Sequence, residues 1–489
     1  MKPSNGGRRG FIKTSMSAAL AATAPAAARA ASSASPPSAA AGRSAVRPNI
    51  VLYIADQFRW DFVGANGLNA STRTPNLDAL AARGVNFTGA LTNQPVCAPA
   101  RSVLFTSRHA TEAGVWHNGL RLDPSLPTLA GELRRAGYSA NYIGKWHLAL
   151  ENPRDGGDPG PVKAADRGGF LDLWEGANAL EHTSHPYEGT IWDADNQPIR
   201  FRDQYRVDFL TDRAERFLRA KHDKPFFLCV SQLEPHQQND LHRPVAPNGA
   251  AARFANPAVP EDLRPFPGTW QDQLPDYYGC IEAIDTSVGR LRRVLEEAHL
   301  ASNTIFVFVS DHGCHFMTRN QEYKRSVHNS SLRVPLIVDG PGFDRSIAVP
   351  GLIGLIDVAP TLLDAAGVDI PAGWKGRSAM PLLDDANARR TWSNPQFVQI
   401  SESMTGRAIR TDDWTYCVAD LAGNTHQACA SAYQEYQLYD QRRDPHEIVN
   451  LAGRKEYRAI ADTLKAQLLR MIADAGEPPA EILPAKLYP

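Results

Sequence analysis

The segment Cys97-Ala-Pro-Ala-Arg101 places a cysteine, a proline and an arginine at a spacing that suits anion chemistry. Proline fits the first turn of a helix, and the residues that follow it, ARSVLFTS, continue as a helical pattern. Cys97 then lies at the positive N-terminal end of that helix, and Arg101 lies one turn later on the same side. The spacing favours a reactive group and a cation presented to an anion, and it suits a low-pKa thiolate nucleophile equally well. A small buried cysteine without function is the ordinary alternative.

Four apolar runs elsewhere in the sequence each end in residues that can do chemistry. Such runs are typical of strands buried on both faces of a parallel sheet. Ligands of open α/β sheets bind at the carboxyl ends of the strands, so side chains that are far apart in sequence meet there. We therefore expect one edge of the sheet to gather Asp56, Lys145, His147, His236, Asp311 and His312. In extended backbone Lys145 and His147 face the same side, because they are two residues apart.

Helical patterns separate these runs, and a fifth apolar run, RVPLIVDGPG, follows the last of them. Alternating strands and helices predict an α/β fold with a large, mostly parallel sheet between layers of helices. After about residue 375, short apolar segments and one long helical pattern predict a smaller C-terminal α+β subdomain with a short antiparallel sheet. We place the catalytic domain at residues 45–375 and the subdomain at residues 376–489.

Residues 1–44 differ from the rest of the chain in composition. Arg8-Arg9 precede a weakly apolar, alanine-rich segment, and Ala28-Arg29-Ala30 offers a cleavage site. The pattern predicts a twin-arginine export signal with a disordered leader, and therefore a periplasmic or secreted protein. A disordered Ala/Ser/Pro-rich leader without that signal is the alternative.

Charge and apolar patterning exclude two classes of partner. The net charge of −1 argues against nucleic acid, and no apolar run in the body of the chain is long enough to span a membrane. Six cysteines in a chain of this length do not make a disulfide scaffold. Cys417 and Cys429 are close enough in sequence to bridge in an oxidising compartment, and the sequence leaves that pairing open.

The sequence resembles the sulfatases, a formylglycine-dependent branch of the alkaline-phosphatase-like superfamily that includes the arylsulfatases. The resemblance rests on an ordered set of motifs between about Pro48 and Leu451. These are Cys-x-Pro-x-Arg at 97–101, GKWH at 144–147, EPH at 234–236, SDHG at 310–313, YKRSVHNSSLRVPLIVDGPG from Tyr323 and LYDQRRDPHEIVNLA from Leu438.

The resemblance implies a metal site and a modified cysteine. Asp56, Gln57, Asp311 and His312 match the family's metal ligands, together with the residue at position 97. Oxygen ligands suit Ca²⁺, although Gln57 and His312 replace the Asp and Asn of many members and leave room for another divalent metal. A formylglycine-generating enzyme would convert Cys97 to formylglycine (3-oxoalanine) during maturation.

The resemblance also assigns roles. One hydroxyl of the hydrated formylglycine, polarised by the metal, would attack sulfur. Arg101, Lys145 and Lys324 would supply fixed positive charge around the sulfate. His147 would take the proton from the second hydroxyl, which expels sulfate and restores the aldehyde, and His236 would protonate the leaving alcohol.

The function that the resemblance implies is a sulfuric ester hydrolase acting on sulfate monoesters, with a sulfated sugar or polysaccharide as substrate. A phosphodiesterase or phosphonate monoester hydrolase is the alternative enzyme, because some relatives with the same motif cleave phosphorus esters. A protein that binds sulfated glycans without turnover is the third reading, and the intact set of catalytic residues speaks against it.

Several other residues are weaker candidates for lining the substrate pocket, and each is better explained as an ordinary polar residue. They are His117, His182, His185, His242, His328 and the Gly/Pro-rich insert at residues 155–169. His328 follows Lys324 by four residues, so the two share a face if that segment is helical.

Overall fold

Strands make up the centre of the protein and most of its C-terminal part. The computed structural model describes residues 47–421, 423 and 425–488, so the predicted export signal with Arg8-Arg9 lies outside the described residues. The strands are β1 Asn49–Asp56, β2 Val85–Asn86, β3 Ala90–Leu91, β4 Ser139–Lys145, β5 Trp174–Ala177, β6 Ser184–His185, β7 Glu188–Trp192, β8 Pro198–Arg202, β9 Phe226–Pro235, β10 Thr304–Ser310, β11 Leu336–Asp339, β12 Ile347–Ala348, β13 Ile353–Gly354, β14 Gln396–Ile400, β15 Thr405–Arg410, β16 Trp414–Asp420, β17 Ala432–Asp440 and β18 Glu481–Leu483.

Helices connect these strands and cover the sheets. They are α1 Pro75–Arg83, α2 Cys97–Thr106, α3 Leu129–Arg135, α4 Leu180–Thr183, α5 Arg206–Arg219, α6 Trp270–Glu297, α7 Asn329–Leu332, α8 Val358–Ala365, α9 Pro381–Asp384, α10 Ala386–Thr391 and α11 Arg458–Asp474. In the part of the chain that the structure describes, none of the helices combines the length and the apolar character needed to cross a bilayer.

The largest sheet is mixed, with a parallel centre. Its order is β12-β2-β11-β10-β1-β9-β4-β5-β7-β6, and β8 pairs with β7. Strands β10, β1, β9, β4 and β5 are parallel, so their carboxyl ends share one edge. The fifth predicted strand, β11, is present but runs antiparallel to β10. The connection between β10 and β11 carries Lys324 to within 3.0 Å of Cys97 at the carboxyl edge of the parallel strands. Because the chain leaves and re-enters the sheet at that edge, β11 runs in the direction opposite to β10.

Helices cover both faces of this sheet, and its central strands β1 and β10 are mostly apolar and buried at every position. Ile50, Leu52 and Ile54 of β1 pack on the side of α2, α3 and α8. Val51 and Tyr53 point the opposite way and pack with α1, α5 and α6. The alternation is the period-two pattern of a strand buried on both sides. The predicted α/β architecture is confirmed.

A second sheet forms the C-terminal part of the chain. Strands β14 to β17 pair antiparallel in order, β18 adds in parallel, and α11 covers one face through Leu464, Leu468 and Ile472. The predicted α+β character is confirmed, whereas the boundary between residues 375 and 376 stays a prediction. Cys417 is buried in β16, and the thiols of Cys417 and Cys429 are separate rather than bridged.

Candidate active site

The carboxyl edge of the parallel strands brings the predicted residues together. Asp56 is the last residue of β1, Lys145 is the last of β4, and Asp311-His312 directly follow β10. Asp56, Cys97, Asp311 and His312 each point one potential ligand atom into a common space, where these atoms all lie within 4.8 Å of one another. All four side chains are buried.

Cys97 occupies the first turn of α2, as its spacing to Arg101 predicts. The backbone N–H of Ala98 donates to Oδ1 of Asn118 at 3.0 Å, which satisfies one of the free donors at the helix end. The Sγ atom lies 3.0 Å from Nζ of Lys324 and 3.3 Å from Nε2 of His312. Burial opposes ionisation of the thiol, but the charges of Lys145 and Lys324 hold its pKa well below its ordinary value. The environment at residue 97 therefore stabilises negative charge.

Arg101 ties the two carboxylates of the cluster together. Its Nε donates to Oδ2 of Asp311 at 3.1 Å, and its NH2 group donates to Oδ2 of Asp56 at 3.3 Å. Its NH1 group donates to the carbonyl of Lys145 and to Oγ of Ser231. Because these bonds use the fork of the guanidinium, Arg101 acts on the site by orienting Asp56 and Asp311 and by neutralising part of their charge.

The pKa values of the two carboxylates shift in opposite directions. Burial raises the pKa of both, and the pKa of Asp56 is nevertheless lowered, because Lys145 and Lys324 place positive charge around it. The pKa of Asp311 is raised by burial and by the neighbouring Asp56 charge. Two carboxylates this close are stabilised by added positive charge, which is what a divalent cation supplies.

Gln57 and His312 carry the lone pairs that a cation at this cluster requires. Oε1 of Gln57 is buried without a hydrogen-bond partner, while its Nε2 donates to Oε1 of Gln237 at 2.8 Å. Nδ1 of His312 lies 3.0 Å from the carbonyl oxygen of Gly313, which accounts for one ring N–H and leaves Nε2 facing the cluster as an acceptor. The residues at this edge therefore fit a metal ion with mostly oxygen ligands.

Lys145 and His147 both approach Glu181, a residue that the sequence analysis did not single out. Lys145 Nζ donates to Oδ2 of Asp56 at 2.8 Å and to Oε1 of Glu181 at 2.7 Å. Nδ1 of His147 lies 4.0 Å from the same Glu181 oxygen. Lys145 and His147 do approach the same group, but the expected reason, an extended backbone, is wrong. Strand β4 ends at Lys145, and His147 has a left-handed φ of 64°. The turn, not the strand, aims the imidazole.

The pKa of His147 reflects this crowded environment. Burial and the charge of Lys145 lower it, but Glu181, Cys97 and Glu151 outweigh them and raise it to about 9. Nε2 of His147 lies 3.3 Å from Oε2 of Glu151, and its Nδ1 is buried without a hydrogen-bond partner. Burial raises the pKa of Glu181, yet Lys145 and His147 lower it to about 2.

His236 and Lys324 also reach this space. Nε2 of His236 lies 2.9 Å from Nζ of Lys324, and its Nδ1 lies 2.6 Å from the carbonyl oxygen of Gln237. Lys324 lies in irregular backbone of the connection between β10 and β11, and α7 in that connection begins only at Asn329. The segment from Lys324 to His328 is not helical, so the two residues do not share a helical face. His328 instead contacts Ser326 and Tyr439 in a buried position.

The other weak candidates divide by position. His182 lines a cavity of about 530 Å³ and lies 3.2 Å from Glu151, so it borders the site. The insert contributes Pro159 to the same cavity. His185 pairs with Asp240 further out. His117 contacts the carbonyl of its neighbour Asn118, and the contacts of His242 run through its backbone carbonyl.

Glu151 and Glu181 are the functional candidates that the sequence analysis missed. Glu181 follows the short parallel strand β5 at the same edge as Lys145, so recognising LWEGAN as a strand would have indicated it. Glu151 follows β4 by six residues in a loop, where no periodic pattern marks it.

The fold and the site define a hydrolase of the alkaline-phosphatase-like superfamily. The family model named Sulfatase matches residues 48–368, and the model for the C-terminal part of N-sulphoglucosamine sulphohydrolase matches residues 321–474. The chain belongs to the sulfatase family, and it is an enzyme of the sulfuric ester hydrolase class.

Similar proteins cover nearly the whole described chain. The ulvan-active sulfatase of Formosa agariphila is 30% identical over 452 residues, which are 88% of this chain and 82% of that protein. The crystal structure of yidJ from Bacteroides fragilis has a TM-score of 0.76 at 25% identity and covers 90% of this chain and 98% of that one. The phosphonate monoester hydrolase of Agrobacterium radiobacter has a TM-score of 0.66 at 24% identity over 88% of this chain and 96% of that one.

Proposed function

We propose that the protein removes sulfate from a sulfated sugar or polysaccharide with residue 97 as the nucleophile. One observation carries the proposal. At the start of α2, Cys97 is surrounded by Lys324, His312 and Asp56, and a second cation, Lys145, binds Asp56. Positive charge that converges on a nucleophile at a helix N-terminus suits a substrate with a compact anionic head. The activity of the Formosa agariphila relative on ulvan supports a sulfated polysaccharide.

We infer that the working form carries two groups which the chain acquires. A formylglycine-generating enzyme would convert Cys97. One divalent cation would be held by Asp56, Gln57, Asp311, His312 and residue 97. We propose Ca²⁺, because most of these ligands are oxygen atoms. Hydrated formylglycine would supply the hydroxyl nucleophile, and the bound cation would supply positive charge that lowers the pKa of that hydroxyl. The orphaned Oε1 of Gln57 supports the ligand set.

The chain's own side chains then perform the proton and charge work. Lys145 and Lys324 face the sulfate oxygens with positive charge, and Arg101 keeps Asp56 and Asp311 in place. His147 accepts a proton at residue 97, helped by Glu181 and Glu151, whose carboxylates favour the imidazolium. His236, joined to Lys324, gives a proton to the leaving alcohol.

We further propose that Arg8-Arg9 direct export by the twin-arginine route to the periplasm or beyond. Sulfated polysaccharides are too large to enter a bacterial cell readily, so a sulfatase that acts on them is useful outside the cytoplasm. Fusion of residues 1–44 to a reporter that requires the twin-arginine route tests this, with Arg8-Arg9 changed to Lys-Lys as the control. Equal export of both fusions would contradict it.

Hydrolysis of phosphate diesters or phosphonate monoesters is the second candidate, and the fold shared with the Agrobacterium radiobacter hydrolase favours it only at the level of architecture. A diester places a second organic group where sulfate has a free oxygen facing Lys145, Lys324 and the metal cluster. That group cannot accept the same charge-assisted hydrogen bonds.

Matched substrates with one leaving group test the proposal. We expect kcat/KM for 4-nitrophenyl sulfate to exceed kcat/KM for bis(4-nitrophenyl) phosphate and for 4-nitrophenyl phenylphosphonate. A panel of defined sulfated oligosaccharides, with sulfate release as the readout, then identifies the sugar. Preference for the phosphorus esters would make the second candidate the correct function.

A further inference from the structure

The wall beside the active site extends past the edge of the parallel strands. Gly176 of β5 pairs with Trp192 of β7 in antiparallel register, so β7 continues beyond Ala177, the last residue of β5. Glu188 lies three residues beyond the β7 residue that is opposite Ala177. At ~3.4 Å per residue, β7 therefore extends about 10 Å past the end of β5. Because β8 pairs with β7 over its whole length, Arg200 and Arg202 lie on this extension.

The extension and the α4–β6 segment enclose a cleft of about 530 Å³. Arg200 and Arg202 point to the same face of β8, because they are two residues apart, while Phe201 between them is buried in the core. Thr190 and Glu188 are their partners on β7. The cleft, which Phe201 also lines, therefore carries two cationic side chains beside the reactive edge.

This cleft shares a lining residue with the cavity beside the active site. His182 lines both the cleft and the cavity that contains Glu151 and Asn118. Glu151 contacts His147, and Asn118 accepts from the N–H beside Cys97. The residue before His182 is Glu181, which binds Lys145. A chain of sugars with one sulfate at residue 97 would therefore pass His182 to reach Arg200.

The charges in the cleft are complementary to an anion. Arg202 lies 3.6 Å from Glu188, and His185 is paired with Asp240. Within residues 47–421, 423 and 425–488, Arg200 forms no ion pair, and its side chain is exposed. A guanidinium without a carboxylate partner, on the wall of a cleft beside a sulfate-ester site, fits the sulfate or carboxylate of a neighbouring sugar.

We propose that the cleft walled by His182, Arg200 and Arg202 binds a second anionic group of the substrate, so that the enzyme prefers a multiply charged oligosaccharide to an isolated sulfate ester. The inference rests on the proposed function for the position of the scissile sulfate. The occupant is the anionic sugar next to the one that is desulfated.

Equilibrium binding to the Cys97→Ala protein, which cannot turn over substrate, separates this inference from catalysis. The probes are a heparin-derived hexasaccharide, which is sulfated and carboxylated, hexagalacturonate, which carries carboxylates alone, and inorganic sulfate. Exposed ion pairs are individually weak, so we expect Arg200→Gln to raise the Kd of the heparin hexasaccharide about threefold and Arg200→Gln/Arg202→Gln to raise it about tenfold. Arg200→Lys retains the charge and most of the affinity.

Arg470→Gln, an exposed arginine of α11, serves as the matched control and leaves every Kd unchanged. If hexagalacturonate responds as the heparin probe does, a carboxylate suffices; if only the heparin probe responds, the cleft requires sulfate. In the wild-type background, the double change is expected to reduce kcat/KM on a sulfated oligosaccharide about tenfold more than on 4-nitrophenyl sulfate. Failure of the parent to bind either hexasaccharide, or equal Kd values in parent and double variant, overturns the inference. Absence of any sulfatase activity, with the cleft still binding, would instead overturn the proposed function.

Discussion

Nζ of Lys324 lies 2.9 Å from Nε2 of His236, and it also lies 3.0 Å from Sγ of Cys97. Nδ1 of His236 faces the carbonyl oxygen of Gln237 at 2.6 Å, which places a hydrogen on Nδ1 and turns Nε2 toward Lys324. Because its Nζ contacts both groups, the lysine stands between the histidine and the nucleophile. We propose that the two side chains act as one proton-donating unit, in which His236 gives the proton to the leaving alcohol.

If His236 and Lys324 donate a proton together, the loss of kcat/KM in their variants depends on the leaving group. A sugar alkoxide is a poor leaving group and needs a proton in the transition state, whereas a nitrophenolate needs little help. We expect His236→Ala and Lys324→Gln each to reduce kcat/KM on a sugar sulfate by about 10²–10⁴-fold. His236→Ala is expected to have a much smaller effect on 4-nitrophenyl sulfate.

A double-mutant cycle checks that the two residues work together. Because either change breaks the same proton path, the double variant is expected to lose little more activity on the sugar sulfate than the worse single variant. Losses that multiply would contradict the shared role. Equal losses on the sugar and aryl substrates would contradict general-acid catalysis by His236.

Maturation of Cys97 predicts a change in mass. When the protein is produced with a formylglycine-generating enzyme, the peptide containing Cys97 is expected to lose mass, because CH₂SH becomes CHO. Cys97→Ala is expected to abolish turnover and to leave the thermal unfolding temperature nearly unchanged. Peptide mass spectrometry provides the readout, and the peptide containing the buried Cys229 is the matched control that keeps its thiol. A fully active enzyme whose Cys97 peptide carries only an unmodified thiol would refute the proposed nucleophile.

The metal cluster predicts a loss of bound ion together with activity. Asp311→Ala removes a carboxylate ligand and also frees Arg101, whose Nε donates to Asp311. We expect less metal per chain by elemental analysis, most of the activity lost, and a stability loss of about 3–5 kcal/mol from the uncompensated buried charge. Gln57→Ala removes a neutral ligand and spares Arg101, so it is expected to lower metal content with a smaller effect on unfolding. Full activity in protein without any bound metal would exclude the cluster as a working site.

Particular residues show what could be predicted from the sequence. Asp56, Asp311 and Lys145 were predictable, because buried apolar runs indicate parallel strands and the carboxyl ends of such strands share an edge. Lys324 lies in an irregular connection, so only the resemblance to sulfatases indicated it. Glu151 has no periodic pattern around it. It reaches the site only because the loop after β4 folds back on His147. The antiparallel direction of β11 likewise depends on where that irregular connection runs.

Glu151 gives the last prediction, which concerns pH. His147 can accept a proton only when it is neutral, so its pKa sets the acid limb of the kcat profile. Burial and Lys145 lower that pKa, but Glu181, Cys97 and Glu151 raise it to about 9. Glu181 and Glu151 remain after Cys97 is converted, so the acid limb of the mature enzyme is expected between the ordinary histidine value of about 6.5 and this upper value.

Glu151→Gln keeps an oxygen near Nε2 of His147 but removes the negative charge that favours the imidazolium. The pKa of His147 then falls, and the acid limb is expected to move to lower pH by about one unit. The variant should therefore retain a larger fraction of its maximal kcat than the wild type at pH values below the limb. Glu296→Gln, an exposed change on α6, serves as the control and leaves the profile in place. A purely structural role for Glu151 would lower kcat at every pH without moving the limb, and a limb that stays fixed or moves to higher pH contradicts the assignment of His147 as the base.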